Sequence, residues 1–398
     1  EVTKRTFAAD PWGGGIRQPA VGVLQTGVLH SRIMHTVVLL AVALSFLLSL
    51  AMTAAVRTWS RRTGFVDHPG GHKQHGSPVA LGGGIALVVS IFGPILVGVV
   101  AARILDGGPP PEWLPAIIET HLAGIASKFS TVLAIAGGAV ALHIVGLIDD
   151  RRALGPWPKF AVQLAVALFL AGPVGIRAVE ALPAPLSIAV TVVWIVLITN
   201  AFNFLDNMDG LCAGVTVVAA AIFAVASMRA GQVFVPIMAW IVVGSVLGFL
   251  VFNFNPASVF MGDAGSLVLG YLMAVLTILV TFYDPAQNST PFGVLVPVVV
   301  LAVPIYDMIS VVVHRMRLGV SPFRGDQRHF SHRLTRRGFS ARGAVLTIYL
   351  ATAATGLPAI VLPTVDWLGA ILLLLQGVCV VVMIAVLEHT DLDLNEAV

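Results

Sequence analysis

The chain has 398 residues, of which 57% are hydrophobic and only 11% charged, and its formal net charge is +3. Soluble domains carry about 25% charged residues, so a water-dissolved globule is excluded and a membrane-embedded chain is implied. The basic residues fall in clusters between apolar runs and give no nucleic-acid face, while Cys212 and Cys379 sit inside such runs and imply neither a disulfide framework nor a thiolate metal site.

Residues 1–33 are mixed and glycine-rich without apolar periodicity, and are read as a disordered extension ahead of Met34. Crossing a hydrocarbon core takes about 20 apolar residues. Runs of that order are expected to cross at Thr36–Val56, Val79–Leu105, Ser130–Ile148, Lys159–Gly172, Leu186–Thr199 and Gly210–Met228. Five more follow at Val233–Phe252, Ala264–Phe282, Phe292–Val313, Gly343–Pro363 and Trp367–Leu387. The expected fold is an all-α polytopic membrane protein of eleven spans, or ten, because the runs at Lys159 and Leu186 are short. The membrane domain would occupy residues 34–390, with residues 391–398 as a short tail. No cleavage pattern follows the first run, which is read as a retained helix.

With eleven spans and residues 1–33 set aside, one side of the bilayer holds Arg57, Arg61, Arg62, Lys73, Arg151, Arg152, Lys159 and eight arginines between Arg315 and Arg342, and the other only Arg103, Lys128, Arg177 and Arg229. The positive-inside rule makes the rich side cytoplasmic, with the N-terminus outside and the C-terminus inside.

Five polar segments fall on that same side. The first, GFVDHPGGHKQHGSPVALGGG, places Asp67, Lys73 and His75 ahead of a glycine triplet opening a helix. Cations and free amides at a helix start suit a phosphate, although a solvated loop with a tight turn into the helix reads equally well. The second, GLIDDRRALGPWPK, sets Asp149 and Asp150 at a membrane helix end with Lys159 ten residues on. Adjacent carboxylates there demand a compensating cation or proton, so the pair suits a divalent metal or a base, and otherwise a surface turn. In the third, NAFNFLDNMDGL, Asn200, Asn203, Asp206 and Asp209 lie between apolar runs. Three-residue spacing would put Asn203, Asp206 and Asp209 on one helical face, an oxygen-rich wall for Mg²⁺ or sugar hydroxyls.

The fourth segment, FNFNPASVFMGDAGSL, has Asp263 between glycines at a helix start, either a metal ligand or an N-cap. In the fifth, the longest loop, SPFRGDQRHFSHRL packs Asp326, Arg328, His329, His332 and Arg333 together. Arginine forks and histidines suit a diphosphate, and no thiol or carboxylate pattern completes a zinc site for the histidines.

These five segments in this order, from about Gly64 to Phe339, resemble the polyprenyl-phosphate N-acetylhexosamine-1-phosphate transferase family. Within it, eleven spans and HFSHRL look closer to the UDP-GlcNAc:undecaprenyl-phosphate GlcNAc-1-phosphate transferases than to the related phospho-MurNAc-pentapeptide translocase. The resemblance implies Mg²⁺, with Mn²⁺ as a substitute, a UDP-N-acetylhexosamine donor, a polyprenyl-phosphate acceptor in the plasma membrane, released UMP and a homodimer. It implies Asp149, Asp150 and Asp263 as catalytic residues and Asp263, Asp206 and Asp149 around the metal. Lys73, His75, Lys159, Asn200, Asn203, Asp206, Asp209, His329, His332 and Arg333 would contact substrate. Two positions depart from the family pattern: His72 stands where an arginine is common, and Asn207 replaces a glycine beside Asp206. A secondary transporter is the competing class, but no internal repeat is visible and the polar clusters lie at helix ends rather than at the midplane.

Overall fold

The computed structural model describes residues 21–68, 77–109, 111–112, 114, 116–280, 282, 290–321 and 329–389, with first-helix side chains described from Met34 onward. Among these residues the chain folds into the helices α1 (Val21–Thr63), α2 (Gly83–Leu105), α3 (Ala116–Ser127), α4 (Phe129–Arg151), α5 (Pro156–Ala171), α6 (Ala184–Leu205) and α7 (Leu211–Arg229). After these come α8 (Phe234–Asn253), α9 (Asp263–Leu279), α10 (Val296–Val300), α11 (Ala302–Arg317), α12 (Phe330–Arg336), α13 (Ala341–Ala359) and α14 (Trp367–His389). The strands β1 (Val66–Asp67) and β2 (Val79–Ala80) pair antiparallel, Val66 opposite Ala80.

Each of the eleven apolar runs of the sequence contains a helix among the described residues. By length and composition, eight helices among the described residues can cross a bilayer. A ninth span results when the segment from Pro291 through α10 is joined to α11 across a 60° bend. The remaining two runs, α5 and α9, are apolar but shorter. Large aliphatic side chains such as Val97, Ile104, Val193, Leu350 and Leu368 stand exposed on the outside of the bundle, which fits a hydrocarbon solvent and not water.

The structure departs from the sequence expectations in local ways. Helix α1 begins at Val21, inside the stretch read as an extension. Helices α3 and α12 lie outside the apolar runs. The apolar run that ends at Thr199 continues as helix through Asn200 and Asn203 to Leu205, because both asparagine side chains find protein partners and need not leave the bundle.

Helix α9 is the hub. Every residue from Ala264 to Thr277 is buried, so it is apolar on all faces as a core helix must be. Its first turn is gripped by α2 and α4 at glycine contacts: a Cβ at Gly84 or Gly146 would overlap the backbone of Ala264. Two polar contacts from α4 fix its register, His143 Nδ1 on the Ala264 carbonyl at 2.9 Å and the Tyr271 hydroxyl donating to Ile135 O at 3.0 Å. Charge-free hydrogen bonds of this kind remain strong where water is absent.

The glycine triplet at the start of α2 therefore does not cradle phosphate. The Gly83 and Gly84 amides donate to the carbonyls of Phe260 and Met261 at 3.0 and 3.2 Å, which corrects the reading of free amides at that helix start. A parallel bridge between Ala80 and Val259 continues the seam, so the base of the first polar loop is sewn to the connection that delivers Asp263. Overpacking a dry core costs about 1–3 kcal/mol; Gly146→Val should lower the thermal midpoint of detergent-purified protein by several degrees, and an unchanged midpoint would disprove the α4–α9 close approach.

Candidate active site

The adjacent carboxylates at the end of α4 turn to different partners. Asp149 accepts the Leu154 amide at 2.8 Å and faces Lys159 Nζ at 3.0 Å. Asp150 accepts the first two amides of α9, Asp263 N at 2.8 Å and Ala264 N at 3.2 Å. It thus caps α9 from a neighbouring helix, where negative charge is favoured by the helix dipole. Gly262, at φ +65°, makes the turn into α9, and a Cβ there would collide with the Asp150 carboxylate.

Relieved of capping, Asp263 points its carboxylate elsewhere. One oxygen meets Lys159 Nζ at 2.6 Å and the other accepts from Asn203 Nδ2 at 3.0 Å. The N-cap alternative for Asp263 is therefore excluded: Gly262 holds the cap position, and Asp263 is the first helical residue. Lys159 sits between two carboxylates from two helices, each partner only partly open to solvent. Asn203 also donates to the Ser266 hydroxyl at 3.0 Å.

Asp206, the residue after α6, accepts no side-chain hydrogen bond among the described residues. Part of its surface stays open although protein crowds it closely. Burial, followed by the charges of Asp263, Asp150 and Asp209, pushes its carboxyl well above the usual carboxylate range. The expected single helical face of Asn203, Asp206 and Asp209 is not formed, because α6 stops at Leu205 and Gly210 turns the chain at φ +77°. Asp209 instead accepts Asn255 Nδ2 at 3.0 Å and the Ala257 amide at 2.9 Å, bolting the α6–α7 turn to the α8–α9 connection. Asn200 donates to Gln163 at 2.6 Å and to the Val196 carbonyl at 2.8 Å, a clamp between α5 and α6.

Next to this cluster lies α12. His329 Nδ1 meets the Asp307 carboxylate at 2.9 Å, and the second Asp307 oxygen accepts the Phe330 amide at 2.8 Å. Arg333 donates to the Ser310 hydroxyl at 3.0 Å. Arg315 stacks on Phe204, whose edge meets His329. His332 is buried, its Nδ1 without a partner among the described residues, and burial, then the neighbouring His329 and Arg336, pushes its imidazole down to about 4.

The structure thus joins four of the five polar segments through Asp149, Asp150, Lys159, Asn203, Asp206, Asp263 and the α12 histidines. Lys73 and His75, and with them Asp326 and Arg328, lie outside the described residues. Asp307 and Gln163 were not singled out in the sequence; a lone acid within an apolar run is costly enough to have marked Asp307. Among the described residues no three acids, histidines or cysteines close around a metal. The donor set is that of a hard cation which keeps water or substrate oxygens in its shell.

A helical membrane bundle that brings carboxylates, a lysine and histidines together at its helix ends has the groups a membrane enzyme needs for a charged substrate. Residues 132–281 match the model of glycosyl transferase family 4. The chain is 33% identical over 354 residues to a probable undecaprenyl-phosphate N-acetylglucosaminyl 1-phosphate transferase of Bacillus subtilis, covering 86% of this chain and 89% of that one. It is 34% identical to a decaprenyl-phosphate N-acetylglucosaminephosphotransferase of Mycobacterium tuberculosis over 75% of this chain and 76% of the relative. A third relative, the undecaprenyl-phosphate alpha-N-acetylglucosaminyl 1-phosphate transferase of Escherichia coli K12, is 26% identical over 77% and 79% of the two chains. The chain belongs to the polyprenyl-phosphate N-acetylhexosamine-1-phosphate transferase family and is a multi-pass membrane transferase.

A histidine whose folded-state proton affinity is depressed contributes stability above its unfolded value, lost as pH falls towards the folded one. For His332 that window runs from 6.5 to about 4. The thermal midpoint should drop across it, and His332→Gln should flatten part of that drop; an identical pH profile for the variant would show that the imidazole is not held neutral.

Proposed function

We propose that the chain transfers N-acetylglucosamine-1-phosphate from UDP-GlcNAc to undecaprenyl or decaprenyl phosphate, releasing UMP, at the cytoplasmic face of the plasma membrane. The observation that carries this reading is Lys159 held between Asp149 and Asp263 at a membrane helix end, beside the unsatisfied Asp206. Phosphoryl transfer asks for in-line positioning and neutralised charge rather than elaborate covalent chemistry.

In this reading an acceptor phosphate oxygen attacks the β-phosphorus of the donor, a new P–O bond forms, and the bridging P–O bond breaks to free UMP. Asp149 orients the acceptor phosphate and takes its proton when it carries one. Asp150, spent on the amides of α9, positions Asp263 rather than touching substrate. Lys159 draws the two phosphates together. His329, His332 and Arg333 face the sugar and diphosphate, and Asn203 and Asp206 the nucleotide end, and Lys73 and His75 are assigned to substrate phosphate by the sequence pattern alone.

The carboxylates of Asp263, Asp206 and Asp149 would hold Mg²⁺ once substrate oxygens complete its shell, and when bound it would neutralise charge developing on the phosphate oxygen of the departing UMP. Mn²⁺ would substitute for it. The cationic bias of the loops supports a cytoplasmic site with the N-terminus outside, and a homodimer belongs to the same reading. The nucleotide then arrives from water while the polyprenyl tail remains in lipid.

Purified protein should release UMP from UDP-GlcNAc only with both undecaprenyl phosphate and Mg²⁺. Release independent of the lipid, or none from any UDP-N-acetylhexosamine by folded protein, would overturn the reaction. Asp263→Ala should abolish turnover, and Lys159→Met should reduce it by at least about a hundredfold, both without loss of the folded, monodisperse state; wild-type rates in either variant would remove that residue from the chemistry.

A further inference from the structure

Asn207 stands in the turn between α6 and α7, next to Asp206, and its side chain is fully used. Its Nδ2 donates to the Phe204 carbonyl at 2.6 Å, and its Oδ1 accepts the hydroxyl of Ser331 on α12 at 2.5 Å. Ser331 is 1% exposed, so losing its acceptor would strand a buried hydroxyl. A glycine, the residue the family pattern leads one to expect here, could make neither bond.

The position matters because α12 is only seven residues long. A helix of that length is not stable through its own backbone bonds and takes its place from what it is tied to. One tie is to α11, where Asp307 holds His329 and the Phe330 amide at the start of the helix and Ser310 accepts from Arg333. The second is Asn207, through Ser331. The first tie anchors α12 to α11, whereas the second sets its distance from the turn that carries Asp206.

We infer that Asn207 is a positioning residue for the sugar-nucleotide donor: by latching α12 to the α6–α7 turn through Ser331 it fixes the span between Asp206 and the His332–Arg333 pair. This rests on the reaction proposed above. Among the described residues Asn207 hydrogen-bonds neither Asp149 nor Lys159, so the latch acts first on how the donor is gripped and not on the acceptor phosphate.

The test is steady-state UMP release by Asn207→Gly, Ser331→Ala and the double variant, varying UDP-GlcNAc and undecaprenyl phosphate in turn. Each single variant should raise KM for UDP-GlcNAc roughly three- to tenfold, the size of one lost hydrogen bond. KM for the lipid and kcat should stay within about twofold. The double variant should be no worse than the worse single one, since both remove the same contact. Unchanged KM for the donor, an equal rise in both KM values, or effects that multiply in the double variant would overturn the inference. Ser331→Ala removes one atom and keeps the fold, so it decides the matter if Asn207→Gly loosens the turn. Failure of the reaction itself would show in wild-type protein as absent UMP release; failure of this inference shows as wild-type turnover that the variants share.

Discussion

The N-terminus of α9 is the point from which the rest of the site is built. A helix whose body is buried on every face brings its first amides against packed protein, and an unmet buried donor there would cost about 1–3 kcal/mol. The fold answers with a carboxylate from another helix: Asp150 accepts both amides. That single arrangement frees Asp263 from local capping, turns its carboxylate to Lys159 and Asn203, and sets Asp149 on the other side of the same lysine. The glycines at 84 and 146 are needed for the same reason, since α2 and α4 must come to within backbone contact of Ala264 for Asp150 to reach.

Around this point the polar residues divide into two groups. Asn200, Asp209, Asn253 and Asp307 spend their hydrogen-bonding capacity on other parts of the chain. They join α6 to α5, the α6–α7 turn to the α8–α9 connection, and α12 to α11. Among the described residues the Asp206 carboxylate and the Nδ1 of His332 have no hydrogen-bond partner, and Lys159, Asp149 and Asp263 compensate one another in an open cluster. In a low-dielectric setting a partly satisfied network is costly, so the unsatisfied group marks where substrate and cation would complete it.

Much of this was legible in the sequence, and the parts that were not share a cause. The spans could be read because twenty apolar residues have no other use in a chain so poor in charge. Asp149, Asp150 and Asp263 stood out because acids at a membrane boundary need a reason. Which of the paired acids faces a lysine and which a helix end depends on a contact more than a hundred residues away, and no local pattern holds that information. The glycine triplet suggested a phosphate cradle because close helix packing and free amides look alike in sequence. Asn203, Asp206 and Asp209 suggested one face because three-residue spacing assumes a helix that continues, whereas Gly210 turns the chain at positive φ. Asp307 went unmarked inside an apolar run, although its intramembrane charge was itself the signal.

The backbone contact of Gly84 and Gly146 with Ala264 has a consequence for how such an enzyme can diverge. Because α2, α4 and α9 meet without intervening side chains, there is no slack there through which a substitution could slide Asp263 toward a differently shaped donor. Change of substrate is channelled instead to α12, which rests on the bundle by a few side-chain hydrogen bonds and can be reseated by one or two replacements. On the proposed assignment of roles, the fold separates a rigid phosphate-handling base from an adjustable sugar-facing rim, and a lineage could exchange one hexosamine for another while the machinery of transfer stayed in place.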